Sequence, residues 1–220
     1  APVMISSSFR LFLCLCGVSL IACAMGNDTS TTLSESASLV LGQSNFESAA
    51  NNAGAAGNAA TSNSLSGPQG IFSYNSRLYV ADTNNHRVLI WNQLPSQNHQ
   101  AADIILGQAN DTGNRPNQGG MAGCATLSYP TAVFVRGNRL FIADSGNSRV
   151  LVYTTADSLA TGDEADRVIG HANCTETRPN QLDTTTLSVG GARSDTLNQP
   201  MAVAFDGTDI YVADTNNHRV

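Results

Sequence analysis

Acidic and basic side chains recur at a fixed spacing along this chain. Three aspartates are each followed five residues later by an arginine: Asp82 by Arg87, Asp144 by Arg149, and Asp214 by Arg219. A carboxylate can serve as a general acid or base, but a catalytic centre needs different residues in different roles, and three equivalent copies argue against that use. We predict instead that each aspartate accepts hydrogen bonds from N–H groups of the turn that follows it. Each arginine is expected to pair with that aspartate or with the backbone of the next unit.

Histidine offers a second kind of chemistry. His86 and His218 occupy equivalent positions in two of the repeated stretches, whereas Ser148 stands there in the third. A ring of histidines and carboxylates would suit a divalent metal ion, but a structural turn residue is the simpler interpretation. His171, which stands where other units have glutamine, is interpreted in the same way. Since no HExxH, CxxC, G-x-S-x-G or Gly-rich phosphate loop occurs, the sequence predicts no metal and no cofactor.

The residues named above belong to a module that occurs three times. Its copies read LYVADTNNHRV (78–88), LFIADSGNSRV (140–150) and IYVADTNNHRV (210–220). In each copy a proline precedes the aspartate by 14 residues, and these are Pro68, Pro130 and Pro200. The connectors between modules vary in length and cover residues 43–67, 108–129 and 171–199. Constant modules with variable connectors are typical of a repeat protein with its loops on one face.

Each module has the pattern of short β-strands. In the second copy, TAVFVR (131–136), RLFIAD (139–144) and RVLVY (149–153) are separated by turns rich in Gly, Asn and Ser. Together with RVIG (167–170) they make four strands. Four-stranded sheets repeated about every 60 to 70 residues are typical of propeller blades.

The strand RLFIAD (139–144) is apolar on both faces. Leu140 and Ile142 point to one side, and Phe141 and Ala143 to the other. A strand with two apolar faces is expected to lie between two layers.

The modules resemble NHL repeats, whose consensus joins a proline, a short strand and a stretch of the form LYVADT-N-x-R-V. The resemblance covers residues 39–220 and implies an all-β fold, a β-propeller of four-stranded blades with units near 39–107, 108–170 and 171–220. Since NHL domains commonly have about six blades, about three are expected here, as the front part of a longer product. Residues 38–42 are expected to form an outermost strand that completes the last blade.

The N-terminal segment has the pattern of an export signal. Residues 11–22 read LFLCLCGVSLIA, an apolar run of 12 residues that follows Arg10, whereas a membrane-spanning helix needs about 20. A basic residue, a short apolar core and small residues at its end are typical of a secretory signal peptide. Translation is expected to begin at Met4.

The end of that apolar core, Leu20-Ile21-Ala22-Cys23, resembles the lipobox of bacterial lipoproteins, in which the cysteine sulfur carries diacylglycerol. The resemblance implies a signal peptide over residues 1–23 and lipid attachment at Cys23; the alternative is an ordinary cleaved signal. Residues 24–38 are small and polar and predict a flexible tether. Because Ala24 follows the cysteine where an Asp would favour the inner membrane, the resemblance indicates a periplasmic or cell-surface lipoprotein of the outer membrane.

Two cysteines remain beyond the signal segment, and each lies in a different connector. Cys124 and Cys174 would be exported to an oxidising compartment, where a bridge would restrain two long loops. The alternative is two free thiols whose Cα atoms lie too far apart. The sequence favours the disulfide.

The charge balance excludes one class of partner. The formal net charge is -6, and the 11 lysines and arginines do not cluster along the sequence. Nucleic acid is disfavoured as a partner because phosphate binding needs a concentrated basic surface. RNA binding, known for some animal NHL proteins, fits neither the charge nor the export signal.

Two classes of function remain open. The first is a lipid-anchored scaffold or binding module whose polar connectors engage a protein or glycan, although such loops are also tolerated without a ligand. Arg115 and Arg178, in a shared RPNQ phrase, are expected to anchor neighbouring loops. The second class is a metal-dependent propeller lyase or lactonase. The inner strands at 70–75, 131–136 and 201–206 carry no His, Glu or Asp within their apolar cores, which favours the first.

Overall fold

The computed structural model describes residues 36–180 and 191–220. The predicted signal segment, Cys23 and most of the predicted tether lie outside the described residues. The regular structure consists of strands and short 3-10 helices, so the all-β prediction is confirmed. In the part of the chain that the structure describes, no helix is long and apolar enough to cross a membrane.

The strands follow one another as hairpins. They are β1 (Ile71–Tyr74), β2 (Arg77–Asp82), β3 (Arg87–Trp91), β4 (Ile104–Leu106), β5 (Pro130–Arg136), β6 (Arg139–Asp144), β7 (Arg149–Tyr153), β8 (Arg167–Ile169), β9 (Pro200–Phe205) and β10 (Ile210–Asp214). The 3-10 helices lie at Asn51–Gly54, Ala56–Asn58, Thr83–Asn85, Pro116–Gly119, Ser145–Asn147, Ala156–Ser158 and Thr215–Asn217.

Three antiparallel sheets result. The first has the order β1-β2-β3-β4, the second β5-β6-β7-β8, and the third contains β9 and β10. Equivalent strands of the first two sheets share one register. In each, the module aspartate lies opposite the module arginine: Asp82 opposite Arg87, and Asp144 opposite Arg149. The four-strand unit predicted from the sequence is therefore present twice in full.

The sheets stack face to face through apolar layers. Leu140 and Ile142 of β6 join the cluster shared with the first sheet, and Phe141 and Ala143 join the cluster shared with the third sheet. The prediction that β6 lies between two apolar layers is therefore confirmed. Burying a large apolar side chain stabilises the fold by roughly 1.5–3 kcal/mol, and β6 contributes such side chains on both of its faces.

Gly70, just before β1, lies against the backbone of the second sheet. A Cβ atom there would lie 2.7 Å from the Ala132 Cα atom and 2.7 Å from the carbonyl oxygen of Thr131. Glycine is required at this position because any side chain would collide with the backbone of β5.

Residues 38–42 form no strand within the described sheets. Gly42 makes an isolated bridge to Ser64, and Leu41 packs against an apolar cluster of the first sheet. This segment is expected to complete the last blade of the ring, which is not among the described sheets, so that pairing stays a prediction.

Candidate functional site

Each aspartate lies at the centre of a buried hydrogen-bond network. Asp82 Oδ1 accepts from the N–H of Ser66 at 2.7 Å, and its Oδ2 accepts from Asn85 Nδ2 and Arg87 Nε, both at 2.8 Å. The side chains of Asp82 and Arg87 are fully buried. Both carboxylate oxygens are therefore occupied, and Asp82 presents no free oxygen to a substrate.

The network repeats in the other two modules. Asp144 accepts from Ser128 N, Asn147 Nδ2 and Arg149 Nε, all at 2.7 Å. Asp214 makes the same contacts, but there the Arg219 side chain is 33% exposed. The module aspartates are thus structural, as their repetition predicts.

The predicted source of the N–H donors is wrong. Asp82 and Asp144 make no capping bond to the turn that follows them. The donors are Ser66 and Ser128, which lie 16 residues earlier, in the connectors. Two N–H groups of the turn are used elsewhere: Asn84 N bonds to the Ser66 carbonyl oxygen and His86 N to the Thr83 carbonyl oxygen. The turn reaches Asp82 through the side-chain amide of Asn85.

Burial sets the electrostatics of these carboxyls. Desolvation raises the pKa of Asp82 and of Asp144 above the ordinary value. The neighbouring guanidinium and the three hydrogen-bond donors act in the opposite direction, because they favour the charged form.

The arginines fulfil both predicted roles. Arg87 pairs with Asp82, and its Nη2 group donates to the carbonyl oxygens of Thr61 at 2.8 Å and Ser64 at 3.0 Å. Its Nη1 group reaches the next connector, donating to the Asp111 carbonyl oxygen at 2.7 Å. The backbone that Arg87 contacts is thus that of two connectors, one before and one after its own strand.

Arg149 joins the second connector, residues 108–129, to the third, residues 171–199, in the same way. It donates to the carbonyl oxygens of Gly123 at 3.1 Å and Thr126 at 2.8 Å, and also to the Cys174 carbonyl oxygen. Cys174 stands at the position equivalent to Asp111, four residues after the glycine that ends the outer strand.

The structure joins Cys124 and Cys174 in a disulfide. Their Cα atoms are 5.1 Å apart, across a sequence separation of 50 residues. The bridge lies beside Arg149, which contacts both connectors through Gly123 and Cys174. A covalent and a polar link therefore hold the same pair of loops.

Asparagines link each connector to the turn of its own module, and sequence reasoning missed them. The members of each pair exchange hydrogen bonds through their side-chain amides: Asn52 with Asn85, Asn117 with Asn147, and Asn180 with Asn217. The turn asparagine always follows the module aspartate by three residues, which was a usable signal. Its partner follows Gly42, Gly107 or Gly170 by ten residues in every connector. The two asparagines of a pair lie 33, 30 and 37 residues apart, because the connectors differ in length.

In the shared RPNQ phrase, the asparagine is the residue that bonds the connector to the turn. Asn117 and Asn180 make the amide pairs described above. The side chain of Arg115 instead lies against Gly119 of its own connector, and the Arg115 carbonyl oxygen accepts from Gln108 Nε2 at 2.8 Å.

The module prolines lie where each connector enters its sheet. Pro130 and Pro200 begin β5 and β9, and Pro68 precedes β1. The Pro130 carbonyl oxygen accepts from Thr83 Oγ1 at 2.7 Å, and that of Pro200 accepts from Thr131 Oγ1 at 3.3 Å. These contacts tie the start of each first strand to the preceding module.

The histidine positions are structural in the first two modules. His86 is 4% exposed, and its Nδ1 atom accepts from the N–H of Tyr129 at 3.0 Å. Ser148 serves the same purpose, since its Oγ atom accepts from Gln199 N at 3.3 Å. Burial lowers the pKa of His86. His218 is exposed.

His171 contacts a turn in the same manner as its glutamine counterpart. His171 Nε2 lies 2.9 Å from the Asn147 carbonyl oxygen, and Gln108 Nε2 donates to the His86 carbonyl oxygen at 3.0 Å. Within residues 36–180 and 191–220, no group of three or more His, Cys, Asp or Glu side chains is placed to hold a metal ion.

These contacts place the connectors at the same end of the strands as the β2–β3 turn, the β6–β7 turn and the turn after β10. We call this end of the sheets the connector rim. It comprises the described parts of residues 43–67, 108–129 and 171–199 together with the turns at 83–86, 145–148 and 215–218. The exposed groups of the rim include the side chains of Met121, 82% exposed, and Tyr129, 49% exposed. The rim can offer hydrogen bonds and a few apolar contacts, and it also carries exposed carboxylates at Glu47, Asp111 and Asp195.

A scan of the chain against protein-family models found no matching family, and a search of curated proteins found no matching relative.

Proposed function

We propose that this protein is an exported, lipid-anchored β-propeller of the NHL type that acts as a scaffold or binding module, with the connector rim engaging a protein or glycan partner. The sequence supports the export and the anchor through the signal segment and Cys23. The stacked sheets support the propeller, because the first two repeat the same strand order and register.

One observation carries the binding proposal: the long polar connectors are held in place at several points. The first connector is fixed by the Asn52–Asn85 amide pair and by Arg87. The second is fixed by the Asn117–Asn147 pair and by Arg149. Loops fixed before binding lose less conformational entropy when a partner arrives, so such a rim is suited to recognition.

The same contacts give no support to acid–base chemistry in the modules. The carboxylates of Asp82 and Asp144 are fully buried, and each accepts three hydrogen bonds from the protein. A general acid or base must reach the proton that it transfers. The proposal therefore rests on recognition by the rim.

The test is site-specific photo-crosslinking in the envelope of a Gram-negative host that exports the full-length protein. In the test variant a photoreactive residue replaces Met121 on the rim. In the matched variant it replaces Asn138, in the β5–β6 turn, which lies at the opposite end of the strands of the second sheet. We expect a discrete adduct from position 121 and none from position 138. Equal labelling at both positions, or no adduct at 121, would contradict binding by the rim.

A separate measurement tests the anchor. Replacing Cys23 by Ala removes the sulfur to which the lipid is proposed to attach. We expect the wild type in the detergent phase after phase partitioning and the variant in the aqueous phase. Unchanged partitioning would contradict lipidation at Cys23.

A further inference from the structure

Tyr129 occupies a position where a bulky residue is unusual. The residue before each module proline has a positive φ: 54° at Gly67, 49° at Tyr129 and 50° at Gln199. This region favours glycine, and an aromatic side chain is a rare occupant. The second module therefore carries an aromatic ring where its backbone alone would favour glycine, and such outliers cluster at functional sites.

The ring is held firmly yet remains accessible. It meets the His86 ring edge to face, with the centroids 4.3 Å apart and the planes at 90°. The Tyr129 N–H donates to Nδ1 of the same histidine at 3.0 Å. His86 is buried, whereas 49% of Tyr129 is exposed. One side of the residue is fixed and much of its surface faces solvent on the connector rim.

The turn that carries His86 also carries an exposed amide on the rim. Asn84 lies in the same turn as His86 and is exposed. Thr83 holds that turn against the residue after Tyr129, because its Oγ1 atom donates to the Pro130 carbonyl oxygen at 2.7 Å. Side-chain amides supply both donors and acceptors in a plane.

We propose that Tyr129 is the stacking platform of a carbohydrate site on the connector rim, an inference that rests on the proposed function and assigns its ligand class. A sugar ring presents a face of C–H groups that packs on an aromatic ring, and its hydroxyls pair with planar amides such as that of Asn84. A protein partner would instead favour a contiguous apolar core within the interface, whereas the connectors that form the rim are rich in Asn, Gly, Gln and Thr.

The test uses neutral oligosaccharides as probes: the β-1,4-linked trimer of N-acetylglucosamine and maltotriose. Binding to the full-length protein is measured by calorimetry and by NMR of labelled tyrosine rings. We expect at least one trimer to bind and to shift the Tyr129 ring signals. Tyr129→Gln, the residue that the third module uses at this position, should weaken binding at least tenfold and leave the fold intact. Tyr129→Phe should retain binding, because stacking needs the ring and not its hydroxyl.

A matched control separates this site from tyrosine exposure in general. Tyr211 is 47% exposed but lies on β10, away from the rim. Tyr211→Gln should leave the affinity unchanged. Equal weakening by both glutamine variants would overturn the assignment to Tyr129, as would full affinity in Tyr129→Gln.

The outcomes also separate this inference from the proposed function. If neither trimer binds while position 121 crosslinks to a protein, the carbohydrate inference fails and binding by the rim stands. If neither trimer binds and position 121 gives no adduct, both proposals fail.

Discussion

A buried ion pair with all of its hydrogen bonds made is the central residue-scale feature of this protein. Asp82 and Arg87 have no exposed side-chain surface, and every polar contact of the pair is to the protein. Removing one partner of such a pair leaves an uncompensated charge in a medium that solvates it poorly. The pair therefore specifies how the connectors meet the module more than it adds net stability.

Asp82→Asn is expected to lower the free energy of unfolding by about 3–5 kcal/mol, because Arg87 loses its counter-charge while buried. Asp214→Asn is the matched control, since Arg219 is 33% exposed and water can solvate it; there we expect about 1 kcal/mol or less. Urea unfolding followed by circular dichroism measures both. Equal losses in the two variants would show that burial is not the determining factor.

His86 gives the fold a dependence on pH. Burial lowers its pKa below the ordinary value of 6.5, so below that pH the unfolded chain binds more protons than the folded one. The stability contributed by neutral His86 is present above pH 6.5 and is lost as the pH falls through the lowered folded value. His86→Ser, which copies Ser148, should reduce the loss of melting temperature between neutral pH and pH of about 5. His218→Ser, at an exposed position, should leave it as in the wild type.

At the scale of elements, the connectors are structural parts of the modules. A glycine with positive φ lies directly before each connector, such as Gly107 at 91°, which follows β4. A Cβ there would lie 2.6 Å from Leu127 Cδ1. Gly170 and Leu197 repeat this contact at 2.8 Å. The end of one outer strand thus packs on the connector leucine that leads into the next sheet, and loops of different length finish in the same geometry.

The disulfide should restrain only the connectors that it joins. Replacing Cys124 and Cys174 by Ser is expected to lower stability by about 2–4 kcal/mol, since the bridge closes a long loop in the unfolded chain. Hydrogen exchange should rise in residues 108–129 and 171–180. Residues 43–67, held by Arg87 without a bridge, are the internal control and should not change.

Alkylation of the unreduced wild type followed by mass spectrometry is the companion measurement. We expect Cys124 and Cys174 to remain unlabelled. Labelling of both would show free thiols and contradict the bridge.

At the scale of the whole molecule, the sheets form a stack in which each layer depends on its neighbour. The second sheet is covered on both faces, whereas β9 and β10 carry several exposed residues. Such stacks gain stability largely from the contacts between adjacent repeats. A substitution that changes the spacing between sheets is therefore expected to destabilise the stack.

Gly70→Ala tests that spacing. The added Cβ atom would lie 2.7 Å from backbone atoms of Ala132 and Thr131, so the first two sheets must separate. We expect a loss of about 1–3 kcal/mol, as for other overpacked sites. Gly123→Ala, where a Cβ would meet nothing within 4 Å, should change the melting temperature little. A stable Gly70→Ala variant would mean that the layers adjust at low cost.

The sequence by itself determined the local features of this protein. Strand alternation, Gly and Asn turns and the two apolar faces of β6 were predictable, because each depends on residues that are near one another along the chain. The fixed spacing of Asp82 and Arg87 likewise indicated their pairing across β2 and β3.

Only the tertiary structure decided which distant groups complete these features. The donor to Asp82 is Ser66 in the connector, the partner of Asn85 is Asn52, and His86 accepts from Tyr129 in the next connector. Residues 38–42 have a strand-like sequence but form no strand within the described sheets, where Gly42 makes an isolated bridge to Ser64. The donor to each module aspartate does precede it by 16 residues. The two asparagines of a pair lie 33, 30 and 37 residues apart, so for them only the folding of each connector onto its turn brings the partners together.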